Sequence, residues 1–251
     1  RINGAAKSAV GAALLDLQGK RLGAPLYRML GLSAAKACPS SFTIGIGTED
    51  ELRAKVREAD EYPILKVKLG TDRDEEIISI IREEAPDKIL RVDANAAWSA
   101  KHALSMIEIL VEYDVEFVEQ PLPPADLDGL RFVRDRSPLP IIADESCVTS
   151  ADIPRMLGVV DGINIKLAKC GGPREALRMI HTARSHGLLV MMGCMIETSL
   201  GITAAAHLAP LLDYADLDGA ALLSDDPYRG ASIAGGRITI PDAPGLGVTR
   251  A

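Results

Sequence analysis

Eight short apolar runs punctuate the chain at 41–47 (SFTIGIG), 64–70 (ILKVKLG), 89–95 (ILRVDAN), 115–121 (VEFVEQP), 139–145 (LPIIADE), 162–169 (GINIKLAK), 188–194 (LLVMMGC) and 214–219 (YADLDG). Their length and aliphatic, β-branched content predict strands. Between them, 72–86, 99–113 and 173–187 place apolar residues at helical spacing. From the second run onward the unit recurs every roughly 20 to 27 residues, one strand and one helix. Eight such units predict an α/β protein with a (β/α)8-type, TIM-like barrel. An open doubly wound sheet is the runner-up, weakened because no G-x-G-x-x-G follows the first strands. The segment 3–31 reads as Ala/Leu-rich helix ending at Gly31, and the Gly/Pro-rich tail from Gly230 carries one short strand that packs outside the barrel.

Composition narrows the class. Apolar residues make up 47% of 251 and aromatics only 4%, so the core is aliphatic. A net charge of -7 argues against nucleic acid or an anionic membrane as partner. No apolar run approaches the ~18 residues that span a bilayer. Cys38, Cys147, Cys170 and Cys194 are scattered without C-x-x-C pairing, and four dispersed His add no zinc pattern. Reduced thiols in a cytoplasm are the expectation. The chain begins with Arg1 and reads as a piece lacking an N-terminal part.

Strand polarity then singles out chemistry. In barrels of this kind the site forms at the C-terminal strand ends. There the runs carry Lys66 and Lys68, Asp93, Glu119, Asp144, Lys166, and Asp216 with Asp218. Taken singly, Lys66 and Lys68 could defend an edge strand or snorkel to water. Each acid could cap the next helix or sit in a turn. Three consecutive strands ending in carboxylates are a different matter, because such groups repel unless a cation lies among them. Hard oxygen donors select Mg²⁺, Mn²⁺ or Ca²⁺.

The second and sixth strands face each other across an eight-stranded barrel, so Lys68 and Lys166 are expected on opposite sides of the bound carbon acid. A cation acidifies the α-proton of a substrate carboxylate by stabilising the enediolate, and two opposed bases permit removal on one face and return on the other. Lysine with Mg²⁺ is a known arrangement for removing a proton α to a carboxylate. Lys66, a like charge close to Lys68, is expected to lower it: ~3 pKa units cost about 4 kcal/mol, which one charge at ~4 Å supplies at effective dielectric ~20. Asp216 and Asp218 alternate in phase and suit an α-ammonium, or else form a turn pair.

The motifs KVK, VDANAAW, VEQPL, IIADES, NIKLAKCGG and GCMIETSLGITAAAHLA, in that order, resemble the muconate-lactonizing branch of the enolase superfamily, and ADLDG on the last strand resembles its dipeptide epimerases. The resemblance covers nearly the whole chain. It implies a modified (β/α)7β barrel over 32–225, with 1–31 as the last helix of an otherwise missing N-terminal α+β capping domain and 226–251 returning to that domain. It implies Mg²⁺ (or Mn²⁺) on Asp93, Glu119 and Asp144, Lys68 and Lys166 as acid/base pair, and Lys66, Asp216 and Asp218 among the substrate-binding residues. The implied activity is epimerisation of a dipeptide at its C-terminal residue. The alternatives on the same site are N-acylamino acid racemase, o-succinylbenzoate synthase or muconate cycloisomerase. A Schiff-base aldolase and a non-catalytic barrel are more distant rivals. The implied partners are a small-molecule dipeptide and, at most, further copies of the chain.

Other residues rate lower. Asn164, in phase with Lys166, is expected to fill the barrel below the site. Asn95 either supports Asp93 or caps the next helix. Lys169 is out of phase with Lys166 and is expected to point away from the mouth. Glu145, out of phase with Asp144, is expected to bond to nearby backbone. Glu197 is either a substrate contact or a helix start. Cys170 with Gly171 and Gly172 reads as a tight turn.

Overall fold

The computed structural model of the chain describes residues 3–251, so Arg1 and Ile2, within the expected 1–31 segment, lie outside the described residues. All eight apolar runs are strands: β1 Phe42–Ile44, β2 Ile64–Lys68, β3 Ile89–Asp93, β4 Val115–Glu119, β5 Ile141–Ala143, β6 Gly162–Ile165, β7 Leu189–Gly193 and β8 Tyr214–Asp216. They pair in parallel in sequence order. The seam between β8 and β1 closes through Ser40 and Ser41. Ser40 bridges Ala215, the Ser41 N–H donates to Ala215 O at 3.0 Å, and the Leu217 N–H donates to Ser40 Oγ at 2.8 Å. The sheet is thereby a nearly closed barrel, as the repeat predicts.

The helices are α1 Gly4–Leu22, α2 Leu26–Met29, α3 Glu49–Glu58, α4 Asp74–Glu84, α5 Ala100–Glu112, α6 Leu127–Arg134, α7 Ile153–Met156, α8 Leu167–Cys170, α9 Pro173–Ser185 and α10 Ser199–Ala206. Local chemistry sets their starts. Thr48 and Glu51 form a reciprocal capping box on α3, and the Ser99 side chain accepts from His102 N at the head of α5. The helical stretch expected over 3–31 breaks at Gly23, whose φ of 65° ends α1.

Two cores result. Between sheet and helices lies an aliphatic shell in which Ile77, Ile81, Leu110, Val133 and Ile180 are almost fully buried. Each such side chain stabilises by about 1.5–3 kcal/mol. Inside the barrel, Phe117, Ile142 and Met191 form a second cluster with Leu189 and Tyr214 against it. The Arg91 guanidinium lies over Phe117 and Tyr214, 5.4 and 4.8 Å from the ring centroids, and donates to Glu116 Oε2 at 2.7 Å. This packed floor holds the polar site above it.

The tail holds more strand than expected: β9 Tyr228–Arg229, β10 Ser232–Ala234, β11 Arg237–Thr239 and β12 Thr249–Arg250. Gly235 and Gly236, both with positive φ, allow the tight β10–β11 hairpin. The tail docks on α1 and α2. Leu246 N donates to Asp16 Oδ1 at 2.9 Å, and Tyr27 Oη to Asp242 Oδ1 at 2.7 Å. His207 joins the same region, accepting from Tyr27 N at 3.2 Å and lying 3.1 Å from Leu246 O. Burial holds it below the ordinary histidine value. On its outer side α1 exposes Val10, Leu14 and Leu17. Among the described residues no helix is long and apolar enough to cross a membrane.

Candidate active site

Parallel register brings the strand-end charges together. Lys68 pairs with Asp93 across β2–β3, and Asp93 with Glu119 across β3–β4. Glu119 aligns with Ile142, so Asp144, two residues on, projects to the same side. The order around the mouth is therefore Lys68, Asp93, Glu119, Asp144, Lys166, with the lysines flanking an arc of three acids. The three carboxylates are essentially fully buried.

Each acid is gripped twice. Asp93 Oδ1 accepts from Asn95 N at 2.9 Å, and its Oδ2 from Lys68 Nζ at 2.7 Å. Glu119 Oε1 accepts from Asn164 Nδ2 at 2.6 Å, while Lys66 Nζ lies 2.7 Å from Oε2. Asp144 Oδ1 accepts from Lys169 Nζ at 2.6 Å, while Lys166 Nζ lies 2.9 Å from Oδ2. The last two approaches to Glu119 Oε2 and Asp144 Oδ2 are charge contacts outside hydrogen-bonding angles, so both oxygens have no hydrogen-bond partner. The other buried side-chain atoms in that position, among the described residues, are Glu145 Oε2 and Asn164 Oδ1, beside the same mouth.

These contacts shape the protonation states. Burial works to lower Lys66, but Asp216, Glu119 and Asp93 outweigh it and hold the ammonium well above the ordinary lysine value. Burial also opposes charge on Asp93, where Lys66 and Lys68 win and the carboxyl stays below its usual range. Asp144 is likewise lowered by Lys166 and Lys169 against burial. Lys166, against burial, is raised chiefly by Asp144. Glu119 differs: burial and then Asp93 push it up to about 7 despite Lys66. With three acids around one deep ammonium, Lys66 keeps its proton, and Glu119 is the acid that burial and its neighbours push up.

Lys66 lies at the deep end of the mouth and lines its cavity. Its side chain is 1% exposed, and its ammonium touches Glu119, Asp216 (2.9 Å) and Asp93 (3.2 Å). It ties the acids of three strands together, where the sequence suggested a bare like charge beside Lys68. Asp216 is similarly engaged, accepting from Lys66 and from Ser41 Oγ at 2.7 Å. Asp218 Oδ2 accepts from Thr43 N at 2.7 Å, but Oδ1 has only the Cys194 thiol, 4.0 Å away. Burial and Asp216 push Asp218 up to about 6.

Above these groups opens a cavity of about 420 Å³, reached by Lys68, Lys166 and Asp218 and walled on one side by Met195, Ile196 and Leu222. Gly193 makes room for it. A Cβ there would lie 2.8 Å from Asn164 Nδ2 and 3.1 Å from Lys166 Cε.

Two expectations are corrected. Lys169 does not point away: it lines the cavity and binds Asp144. Strand alternation stops at Ile165, and α8 follows Lys166 as one helical turn, so positions three apart share a side. Glu145 does not turn to backbone but meets Lys169 at 3.3 Å in the same mouth, because β5 ends at Ala143. Asn95 holds Asp93 through its backbone N–H, with φ 46°, and Ser99 is the helix cap. Glu197 accepts from Met195 N at 3.1 Å within its own loop.

Gln120 escaped the sequence reading. It is fully buried, and its Oε1 accepts from Asp144 N and Ser146 N at 2.9 and 3.1 Å. Its only signal was an amide wedged between Glu119 and Pro121. Asp74 was missed too: it accepts from Gly70 N, Thr71 N and Trp98 Nε1, joining the loops after β2 and β3.

Among the described residues no three His, Cys, Asp or Glu groups point at one common ion position, since the carboxylates face the lysines. The donor set nonetheless fits a hard divalent ion. It offers three adjacent carboxylates, two of them with a buried oxygen that lacks a hydrogen bond.

Residues 49–250 match the family described as Enolase C-terminal domain-like. The chain is 48% identical to the L-Ala-D/L-Glu epimerase of Bacteroides thetaiotaomicron over 98% of its own length and 64% of that protein's. It is 45% identical to a hydrophobic dipeptide epimerase of Roseobacter litoralis, covering 96% of this chain and 72% of the relative. The dipeptide epimerase of Enterococcus faecalis V583, solved in complex with Mg and L-Leu-L-Tyr, superposes with a TM-score of 0.93 at 38% identity, over 99% of this chain and 74% of that one. The chain thus spans about two thirds of the length of the first of these relatives.

Proposed function

The chain belongs to the Enolase C-terminal domain-like family, and from that premise we propose that it is the catalytic barrel of a Mg²⁺-dependent dipeptide epimerase. The observation that carries the reading is the placement of Lys68 and Lys166 on opposite flanks of one arc of acids, with Asp218 facing the same cavity. Asp93, Glu119 and Asp144 would hold the cation. When bound, it supplies positive charge that offsets the negative charge gathering on the substrate carboxylate as the α-proton leaves.

The protein's own groups do the rest. One lysine, as the neutral amine, takes the α-proton of the C-terminal residue, and the opposite lysine, as ammonium, returns a proton to the other face. Lys166 beside Asp144 is suited to the ammonium role for one hand of substrate, and the roles exchange for the other. Asp218 Oδ1 accepts from the dipeptide ammonium, with Asp216 beneath it holding Lys66. The segment 1–31, whose described part packs on the tail, and the tail itself are read as the part that meets the rest of a longer protein, and the exposed apolar side of α1 supports this. Four free thiols suit a reducing cytoplasm.

The test is incubation of the intact protein with L,L-dipeptides and Mg²⁺ in D₂O. Deuterium at the C-terminal α-carbon with appearance of the inverted configuration is expected, and Asp218→Asn should weaken it steeply for dipeptides through a raised KM. Exchange with N-acylamino acids but not with dipeptides would replace this reading by racemisation of N-acylated substrates.

A further inference from the structure

The three acids of the arc share one pattern. Each gives one oxygen to a holding group and turns the other toward a lysine of the mouth. For Asp93 the holder is the Asn95 N–H, and for Glu119 it is the Asn164 amide. For Asp144 it is Lys169, 2.6 Å from Oδ1. This third holder is the only charged one of the three, and nothing in the proposed proton transfers uses it.

Its geometry is set independently of Asp144. Lys166 stands at the start of the single turn of α8 and Lys169 lies within it, and the Lys169 and Cys170 N–H groups both donate to Lys166 O at 3.0 Å. Gly171 and Gly172, with φ of 99° and 106°, stop the turn immediately after it. The Lys169 stem therefore starts from a fixed point. Its ammonium also meets Glu145 Oε1 at 3.3 Å, a second anchor besides Asp144. The Asp144 N–H is held separately by Gln120, so the backbone is fixed and the carboxylate torsion is what Lys169 controls.

We infer that Lys169 is a positioning residue: by holding Asp144 Oδ1 it leaves Oδ2 turned toward Lys166 and the arc, available to ligate the divalent ion. The inference rests on the proposed function, because it presumes an ion among these acids. Outer partners that orient a metal-binding carboxylate typically contribute ten- to a hundredfold in affinity. A pure charge effect has the opposite sign, since removing a cation beside the ligand would strengthen binding of Mg²⁺.

Titration calorimetry of the intact protein with Mg²⁺ alone, without substrate, separates these cases. Lys169→Met is expected to raise the Mg²⁺ dissociation constant about ten- to a hundredfold. Lys169→Gln, which keeps an N–H donor but no charge, should weaken binding less than Lys169→Met. Lys169→Arg should return it to within about threefold of the parent. Circular dichroism of each variant checks that the barrel is folded, and the Arg variant carries the test if the Met variant is not. Unchanged or tighter binding by Lys169→Met, or binding by Lys169→Arg no better than by Lys169→Met, overturns the positioning role while leaving the epimerase reading intact. A parent protein that does not bind Mg²⁺ overturns both.

Discussion

Replacing Lys66 by Met removes one ammonium and leaves three buried carboxylates facing each other. That ammonium lies 2.7 Å from Glu119, 2.9 Å from Asp216 and 3.2 Å from Asp93. At an effective dielectric of ~20, each of these pairs is worth about 5–6 kcal/mol of gross attraction. Desolvation of the ammonium offsets most of that sum, and breaking such a buried cluster from one side costs about 3–5 kcal/mol net. The sign with pH is definite. In the parent, Asp93 and Asp216 are lowered below their unfolded values. Their stabilisation is therefore present above ~4 and is lost as pH falls through the lowered values. In Lys66→Met, Asp93 keeps Lys68 at 2.7 Å, but Asp216, buried without the ammonium that touches it, titrates above its unfolded value. The deficit is then full at pH 8 and shrinks toward pH 5. Urea unfolding of parent and variant at both pH values measures it. A variant as stable as the parent at pH 8, or one with the same deficit at both, would refute this account of the cluster.

Two further outcomes follow from the same geometry. Asp218, pushed up to about 6, should lose its charge as pH falls through that value, so the KM for a dipeptide rises below pH 6 while Asp218→Asn shows a high, flat KM; a variant that keeps the parent's slope would place the titration elsewhere. Gly193→Ala sets a methyl group 2.8 Å from Asn164 Nδ2 and 3.1 Å from Lys166 Cε, which should cost about 1–3 kcal/mol in urea unfolding and about a hundredfold in α-proton exchange; exchange at the parent rate would show that the mouth tolerates the intrusion.

The barrel was legible because each strand is a separate apolar run and because parallel pairing makes neighbours in sequence neighbours in space. Strand alternation also aimed Lys68, Asp93, Glu119 and Asn164 correctly, since all lie inside or at the very end of a strand. It failed beyond the strand ends. Glu145 follows β5 in a turn and Lys169 lies in α8, where period two no longer holds, and the pattern alone assigned them to the wrong side. Lys66 was aimed correctly, but its contacts with Glu119 and Asp216 were not legible, because alternation fixes direction and says nothing about which groups a side chain meets across the barrel. Gln120 and Asp74 carry no charge pattern or periodicity of their own. Their importance lies in backbone groups they satisfy, and those become visible only once the loops are folded.

The single turn of α8 also sets how this stretch can vary. Adding or deleting one residue between Lys166 and Lys169 would swing the second ammonium by about 100° and shift it along the axis by about 1.5 Å. That would carry it off Asp144 altogether. Side chains at positions 167 and 168 can drift as long as the packing beneath them is kept. The count of two residues cannot, so the interval works as a gauge whose length, more than its composition, keeps the acid facing inward.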